Sequence, residues 1–195
     1  MPATVIHETD DRQERQWVAA AQGGDPDAFR RIVETYRDRL YTFLLRLVRH
    51  HEEAEDLAQE TFVRAWRHLA DYDSRWAFRS WLFTLARNLA LNTLRRPRAT
   101  IVSIEAGEMD GQLGLALAST TASPADQAAV REQKRRLSQA LGQLSAQAAM
   151  IFTLFYQEGM TIAEIAQTVG MTAGAVKVAL HRARETLRRR LGDSP

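Results

Sequence analysis

Cysteine is absent from all 195 residues of the chain. Its absence excludes a disulfide framework, a thiol nucleophile, a cysteine zinc site and thiol-based redox sensing within this sequence. Long apolar runs are also missing: no stretch approaches the ~20 residues that a membrane-spanning helix needs, and no apolar signal segment follows Met1. We therefore expect no membrane insertion and a cytoplasmic location.

The sequence also lacks a large excess of charge of one sign. It has 26 lysines and arginines and 24 acidic residues, which give a net charge of +2. The partner of the chain must therefore be inferred from local clusters of charge. Hydrophobic residues make up 45% of the sequence, which is enough for a packed core. The length allows one large domain or two small ones.

The most informative segment runs from Thr161 to Arg184 and has the pattern of two short helices joined by a glycine turn. Thr161 and Glu164 are spaced for a capping box, Gly170 suits a left-handed turn, and Thr172 can cap the second helix. Apolar residues at helical spacing predict the faces on which the two helices pack. They are Ile162, Ile165, Ala166 and Val169, followed by Val176, Leu180, Ala183 and Leu187.

The opposite face of the second helix is basic, with Glu185 as the only acid between Lys177 and Arg190. Such a face favours phosphate, and the first turns of a recognition helix face base edges in the major groove. The pattern thus predicts a DNA-binding helix-turn-helix, the alternative being an ordinary helical hairpin with a solvated basic face. The candidate DNA contacts are Thr172, Ala173, Lys177, Val178, His181, Arg182 and Arg184.

Helical periodicity also dominates the first half of the chain. Residues 1–24 are typical of a polar tail to about residue 10, followed by a short helix that ends at Gly23 and Gly24. Residues 25–97 predict one compact domain of three longer helices. These run from Asp25-Pro26 to near His50-His51, from about Glu53 to Leu69, and from about Ala77 to Arg95.

A segment rich in Gly, Ser, Thr and Ala spans 98–123, and we interpret it as a linker. Residues 124–195 predict a second helical domain, in which Ser145 caps a helix that ends at Gly159. The expected fold is therefore all-α, with two helical domains joined by a flexible linker and the second ending in the helix-turn-helix.

Two motifs in the first domain complete a resemblance to a known family. They are Glu55–Trp66 (EDLAQETFVRAW) and Trp81–Asn88 (WLFTLARN), and they precede the linker and the helix-turn-helix. From about Asp25 to Leu191, the chain resembles a bacterial RNA polymerase sigma factor of the extracytoplasmic-function group. The resemblance implies that 25–97 is region two, which binds core polymerase and the minus-ten element. It implies that 124–195 is region four, which binds the minus-thirty-five element.

The resemblance also indicates the polymerase contacts. Asp56, Gln59 and Glu60 lie at i, i+3 and i+4 and so share one helix face. Read alone, they could be solvated acids near a helix N-terminus, where the macrodipole favours them. In the family, this face grips the clamp helices of the largest polymerase subunit. The further partners implied are the polymerase flap, promoter DNA and an anti-sigma factor.

Arginines and aromatic residues alternate around the fourth predicted helix. Separating the strands of a DNA duplex requires both residue types, because cations bind the phosphates while aromatic pockets accept unstacked bases. Phe78 and Trp81 fall on the inward stripe, so we assign them to the core. The candidate minus-ten contacts are Arg79, Arg87, Asn88, Asn92, Arg95 and Arg96.

Two other classes of function compete with this interpretation. A stand-alone helix-turn-helix regulator would bind an operator without polymerase. An enzyme would need a metal site at His50, His51, Glu52 and Glu53, but adjacent helical residues project about 100° apart and no third ligand is evident. We therefore predict a non-catalytic protein without metal or cofactor.

Overall fold

The computed structural model describes residues 7–95, 135–137 and 139–192, and every regular element in these ranges is helical. Within the same ranges, no helix is both long and apolar enough to cross a bilayer. The predicted linker 98–123, the start of the second predicted domain at 124–134 and Arg96 lie outside the described residues. The labelled helices are α1 (His7–Gln22), α2 (Pro26–Val48), α3 (His51–His68), α4 (Phe78–Arg95), α5 (Ala146–Tyr156), α6 (Ile162–Val169) and α7 (Ala173–Gly192). Residues 135–137 and 139–142, before α5, are helical as well. The all-α class is therefore confirmed.

Capping residues fix the ends of the first helices. The Asp25 carboxylate caps α2, as expected, by accepting two backbone N–H bonds at 2.9 and 3.2 Å. Helix α2 ends slightly earlier than predicted because Arg49 adopts a left-handed φ of 56°. His50 Nδ1 then accepts the N–H of Glu53 at 3.3 Å, so α3 starts two residues before the predicted position. Helix α1 likewise begins at His7, within the segment expected to be a tail.

An aromatic core holds α2 and α4 together. Phe83 is fully buried and stacks edge-on against Phe43 at 5.0 Å and Tyr36 at 6.3 Å between ring centroids. Phe78 is also buried and packs against Trp81 at 5.5 Å. Phe78 therefore belongs to the core as predicted, and the half-buried Trp81 packs against it.

The helix-turn-helix forms through the predicted local signals. Thr161 and Glu164 make a complete capping box, with Thr161 N–H donating to Glu164 Oε2 at 2.7 Å and Glu164 N–H donating to Thr161 Oγ1 at 3.2 Å. Gly170 takes the left-handed turn with φ 66°. Thr172 Oγ1 accepts the N–H of Ala175 at 3.2 Å and so caps α7. Helix α5, capped by Ser145, ends at Tyr156, three residues before the predicted Gly159.

The two predicted domains pack against each other. One buried cluster contains side chains from α2 and α4 together with α5, α6 and α7, including Leu44, Phe83, Ile151 and Ile165. A smaller cluster lies within the second domain, where Ala183 and Leu187 of α7 meet residues before and within α5. The described residues thus form a closed arrangement.

Candidate nucleic-acid interface

The acidic residues of α3 lie on its exposed side. Asp56 and Gln59 are exposed, while Glu60 is half-exposed and pairs with Arg64 at 2.6 Å. The opposite side of α3 is buried through Ala54, Leu57, Ala58, Thr61, Phe62 and Ala65. Packing of that side fixes the helix, so the three predicted residues share one solvent-facing surface.

The first turns of α7 present the basic face to solvent. All seven candidate residues from Thr172 to Arg184 are exposed, and α7 carries six lysines and arginines against the single acid Glu185. The stripe of Val176, Leu180, Ala183 and Leu187 is buried as predicted. Exposed cations on a helix whose other side is packed are free to contact phosphate and base edges.

Arg184 differs from the other candidates on α7. Its Nε donates to the Tyr156 hydroxyl at 2.5 Å, and its guanidinium lies 5.6 and 5.5 Å from the ring centroids of Phe155 and Tyr156. Arg184 follows the buried Leu180 by four residues, which places it at the edge of the packed stripe. Its guanidinium therefore braces α7 against α5.

The candidate minus-ten residues of α4 divide into two groups. Asn88, Asn92 and Arg95 are exposed and follow one another at i, i+4 and i+7 on the same side of the helix. Arg79 and Arg87 are instead engaged with α6. The side chain of Arg79 is 18% exposed, with Nη2 3.8 Å from a Glu164 carboxylate oxygen.

Arg87 makes the closer of these contacts with α6. Its Nη2 donates to the Val169 carbonyl at 2.7 Å. Burial lowers the pKa of Arg87, and the neighbouring positive charge of Arg95 adds to this shift. The structure therefore brings exposed and covered candidates together on one helix.

A cavity of about 630 Å³ opens beside the start of α4. Its lining includes Tyr72, Trp76, Phe78 and Arg79, and Glu164 of α6 contributes to its wall. Aromatic rings beside a guanidinium can receive a base that has left the stack. Aromatic residues and an arginine therefore line the same cavity, and these are the residue types that DNA strand separation requires.

The sequence patterns did not predict three buried contacts between charged or polar side chains. Glu158 is only 1% exposed and pairs through Oε2 with Arg39 Nη2 at 2.5 Å. The buried Arg46 donates through Nη1 to Thr153 Oγ1 and, at 3.0 Å, to Gln157 Oε1. Burial raises the pKa of Glu158, while Arg39 opposes that shift; burial lowers the pKa of Arg46 to about 10.

A signal for these contacts was present in α2. Residues 42–48 of α2 are all buried, and this many consecutive residues project to every side of a helix. A helix that is apolar on every side has partners on every side. The segment YTFLLRLV at the end of α2 could therefore have indicated a second packing partner.

Comparison with known proteins connects these surfaces to a family. Residues 32–100 match the family model for sigma-70 region 2, and residues 134–187 match that for sigma-70 region 4. The ECF RNA polymerase sigma factor SigW of Bacillus subtilis is 32% identical over 174 residues, covering 87% of this chain and 92% of its own length. The ECF RNA polymerase sigma factor SigL of Mycobacterium tuberculosis is 33% identical over 172 residues, covering 88% and 93%.

A solved structure supports the same relationship. The structure of CnrH in complex with the cytosolic domain of CnrY matches with a TM-score of 0.63 and 26% identity, covering 93% of this chain and 99% of that chain. The region 2 match precedes the region 4 match along the chain, and relatives match along nearly their whole length. The chain therefore belongs to the extracytoplasmic-function (ECF) group of RNA polymerase sigma factors, which direct core polymerase to promoters.

Proposed function

We propose that this sigma factor binds core polymerase through the acidic face of α3, reads the minus-thirty-five element with α7 and helps to open minus-ten DNA at α4. The observation that carries the proposal is the pair of oppositely charged, exposed helix faces, one in each matched region. An acidic face suits a basic protein partner, whereas a basic face suits phosphate.

The roles along α7 follow from position. Lys177, His181 and Arg182 lie in the first turns and contact base edges, while the exposed Val178 can meet a thymine methyl group. The arginines at 188–190 contact the phosphate backbone near the end of the helix. Arg184 acts mainly by holding α7 in place against Tyr156.

The roles around α4 are to hold a single strand and accept one of its bases. Asn88, Asn92 and Arg95 line the exposed side, and Arg96 follows directly in the sequence. The cavity beside Trp76 offers an aromatic wall for an unstacked base. Arg79 supplies a cation at the cavity for the adjacent phosphate.

We further propose that the protein acts in the cytoplasm under the control of an anti-sigma factor. Members of the family are commonly held inactive by such a protein. The matched CnrH was solved in complex with the cytosolic domain of CnrY. A regulator of this kind would compete for surfaces that polymerase uses.

Charge reversal on α3 tests the polymerase contact. The double substitution Asp56→Lys and Glu60→Lys should weaken binding to purified core enzyme by at least about 30-fold, since breaking a charge pair that an interface buries typically costs about 2 kcal/mol or more. The matched control reverses Glu34 and Asp38, which are exposed on α2 at the same i, i+4 spacing. Co-elution with core enzyme and transcription from promoter DNA are the measurements.

Two outcomes would refute the proposal in different ways. Unchanged core affinity of the folded double variant would remove the assignment to α3. The stand-alone regulator would gain if the isolated chain bound one duplex site with nanomolar affinity while added core enzyme produced no specific transcript. We expect instead that tight promoter recognition requires core enzyme, which fixes the spacing of the two DNA-binding regions.

A further inference from the structure

Helix α1 forms part of the wall of the cavity beside Trp76. The lining residues that it contributes are Glu14, Arg15, Val18, Ala19 and Gln22. Apart from Glu164 of α6, the other lining residues lie at 72–79, in the loop between α3 and α4 and the first residues of α4. The match to the region 2 family model begins only at residue 32, after α1 has ended. A helix outside that match therefore shapes the site proposed for a DNA base.

Gln22, the last residue of α1, connects this helix to the loop before α4. Its side-chain amide Nε2 donates to the carbonyl of Leu69 and to the carbonyl of Tyr72, both at 3.0 Å. Leu69 begins the short 3-10 helix Leu69–Asp71, and Tyr72 follows directly after it. The amide group has two N–H donors, so a single side chain can hold both carbonyls. Gln22 thus fixes the start of the loop from outside it.

Tyr72 connects the residues that Gln22 holds to Trp76. The ring of Tyr72 is buried against Phe78, with 5.6 Å between ring centroids, and its hydroxyl donates to the Trp76 carbonyl at 2.5 Å. Burial raises the pKa of Tyr72 to about 12, so the hydroxyl keeps its proton and remains a donor at neutral pH. The N–H of Trp76 also donates to the Asp73 carbonyl at 3.1 Å. The backbone of Trp76 is therefore held in place, although the residue is 52% exposed.

A fixed position of Trp76 matters for the choice of base. Every base has a π face, so stacking on an indole by itself gives little sequence preference. Preference arises when the polar edge of a base meets donors and acceptors at defined positions. The cavity offers such groups on Glu14, Arg15 and Gln22. A loop that is held before DNA arrives keeps the indole and these groups in register, and it avoids the cost of ordering the loop on binding.

We propose that Gln22 is a positioning residue for the minus-ten surface, which fixes the shape of the cavity through the carbonyls of Leu69 and Tyr72 and so sets the preference for one base of the unpaired strand. This inference rests on the proposed function, because it takes the cavity as the site of an unstacked base. The competing role is capping alone, since carbonyls at the end of a helix need partners. Capping alone predicts a loss of stability without a change in base preference.

Selection from a pool of single strands tests this role in the holoenzyme. The full chain is combined with core enzyme and mixed with single strands of about 20 nucleotides that have about ten randomised central positions, and the bound strands are sequenced. Trp76→Ala identifies the position whose base enters the cavity, because it removes the exposed ring. Gln22→Met keeps a similar length and helix propensity but has no N–H donor. It should lower the base preference at that same position by at least about three-fold and leave the other positions unchanged.

Gln16, an exposed glutamine of the same helix, supplies matched controls. Gln16→Met should leave every base preference unchanged. Gln22→Lys places an N–H donor at the end of a similarly long side chain and should restore the preference. The added charge strengthens binding to any strand, and Gln16→Lys measures that uniform gain. Tyr72→Phe removes only the hydroxyl that donates to Trp76, so it should reduce the preference at the position that Gln22→Met affects.

Three results would overturn the role of Gln22. They are an unchanged preference in Gln22→Met at the position that Trp76→Ala affects, an equal loss at every position, and a loss that Gln22→Lys does not reverse. If Gln22→Met loses its helical circular dichroism, Tyr72→Phe decides the same comparison. A Trp76→Ala variant without any position-specific effect would instead refute the base-accepting cavity of the proposed function, and the inference would fall with it.

Discussion

The two candidate DNA-binding surfaces of this chain differ in exposure. On α7, the candidate residues from Thr172 to Arg182 are all exposed on the side opposite the packed stripe. On α4, Arg79 and Arg87 contact α6, and only the later candidates are exposed. The candidate minus-thirty-five surface is therefore exposed, whereas the candidate minus-ten surface is partly covered.

The difference follows from where each helix lies. Helix α7 follows directly from the turn at Gly170 and packs one side on its own region, so its other side stays free. Helix α4 packs against α2 and α3 and also against α6, which comes from the far side of the linker. A residue pattern thus identifies what a surface can bind, while tertiary contacts decide whether that surface is available.

The largest expected effect comes from a substitution in the buried cluster that contains side chains from both regions. Phe83→Ala removes a fully buried ring and should lower the free energy of unfolding by about 3–5 kcal/mol. All four tryptophans lie between 17 and 81, so their fluorescence reports α1 and region two, while circular dichroism reports both regions. If the closed chain unfolds as one unit, both signals should shift together in urea.

A matched control for Phe83→Ala lies on the same helix. Leu94 is 42% exposed, and Leu94→Ala should change the unfolding free energy by no more than about 0.5 kcal/mol. Two separate transitions in the wild-type protein, with Phe83→Ala moving only the tryptophan signal, would show that the regions are energetically independent. That result would contradict the stable packing of α6 against α4, on which the difference in exposure between the two surfaces depends.

A smaller effect distinguishes base contact from backbone contact on α7. Arg182→Ala should cost about 1–3 kcal/mol in binding to minus-thirty-five DNA and less on random DNA, because the early turns face base edges. Arg189→Ala should weaken both equally and reduce the salt slope by about one. Titrations of both variants against paired duplexes at several salt concentrations make the measurement. Equal loss of sequence preference in the two variants would contradict the assigned positions.

Local signals in the sequence were sufficient to predict the helix-turn-helix. The capping box at Thr161 and Glu164, the turn at Gly170 and the cap at Thr172 all form, because each depends on residues within four positions. The helical stripes likewise predicted the buried residues of α7. In this segment, interactions between residues close in sequence determine where the helices begin and end.

Contacts between residues far apart in the sequence could not be predicted from local patterns. Arg46 and Thr153 are 107 positions apart, and neither forms part of a local motif. Glu158 stands beside the turn at Gly159, where its sequence neighbours give no sign of burial by α2. Arg184, a candidate DNA contact, also donates to the hydroxyl of Tyr156, which lies 28 positions away and shares no local motif with it. Such placements depend on how whole helices dock.

The smallest expected effect concerns the cap of α6, the short helix that contacts the candidate minus-ten residues Arg79 and Arg87. Thr161→Ala removes the hydroxyl that accepts the N–H of Glu164 and should lower the free energy of unfolding by about 1 kcal/mol. Helix α6 has eight residues and depends on its caps, so its hold on Arg79 and Arg87 should loosen and single-stranded DNA should bind slightly more tightly. Thr161→Ser keeps a hydroxyl and should leave both quantities near the wild-type values. Urea unfolding and single-strand titration of the two variants provide the check, and equal DNA affinity for a destabilised Thr161→Ala would show that α6 does not control access to α4.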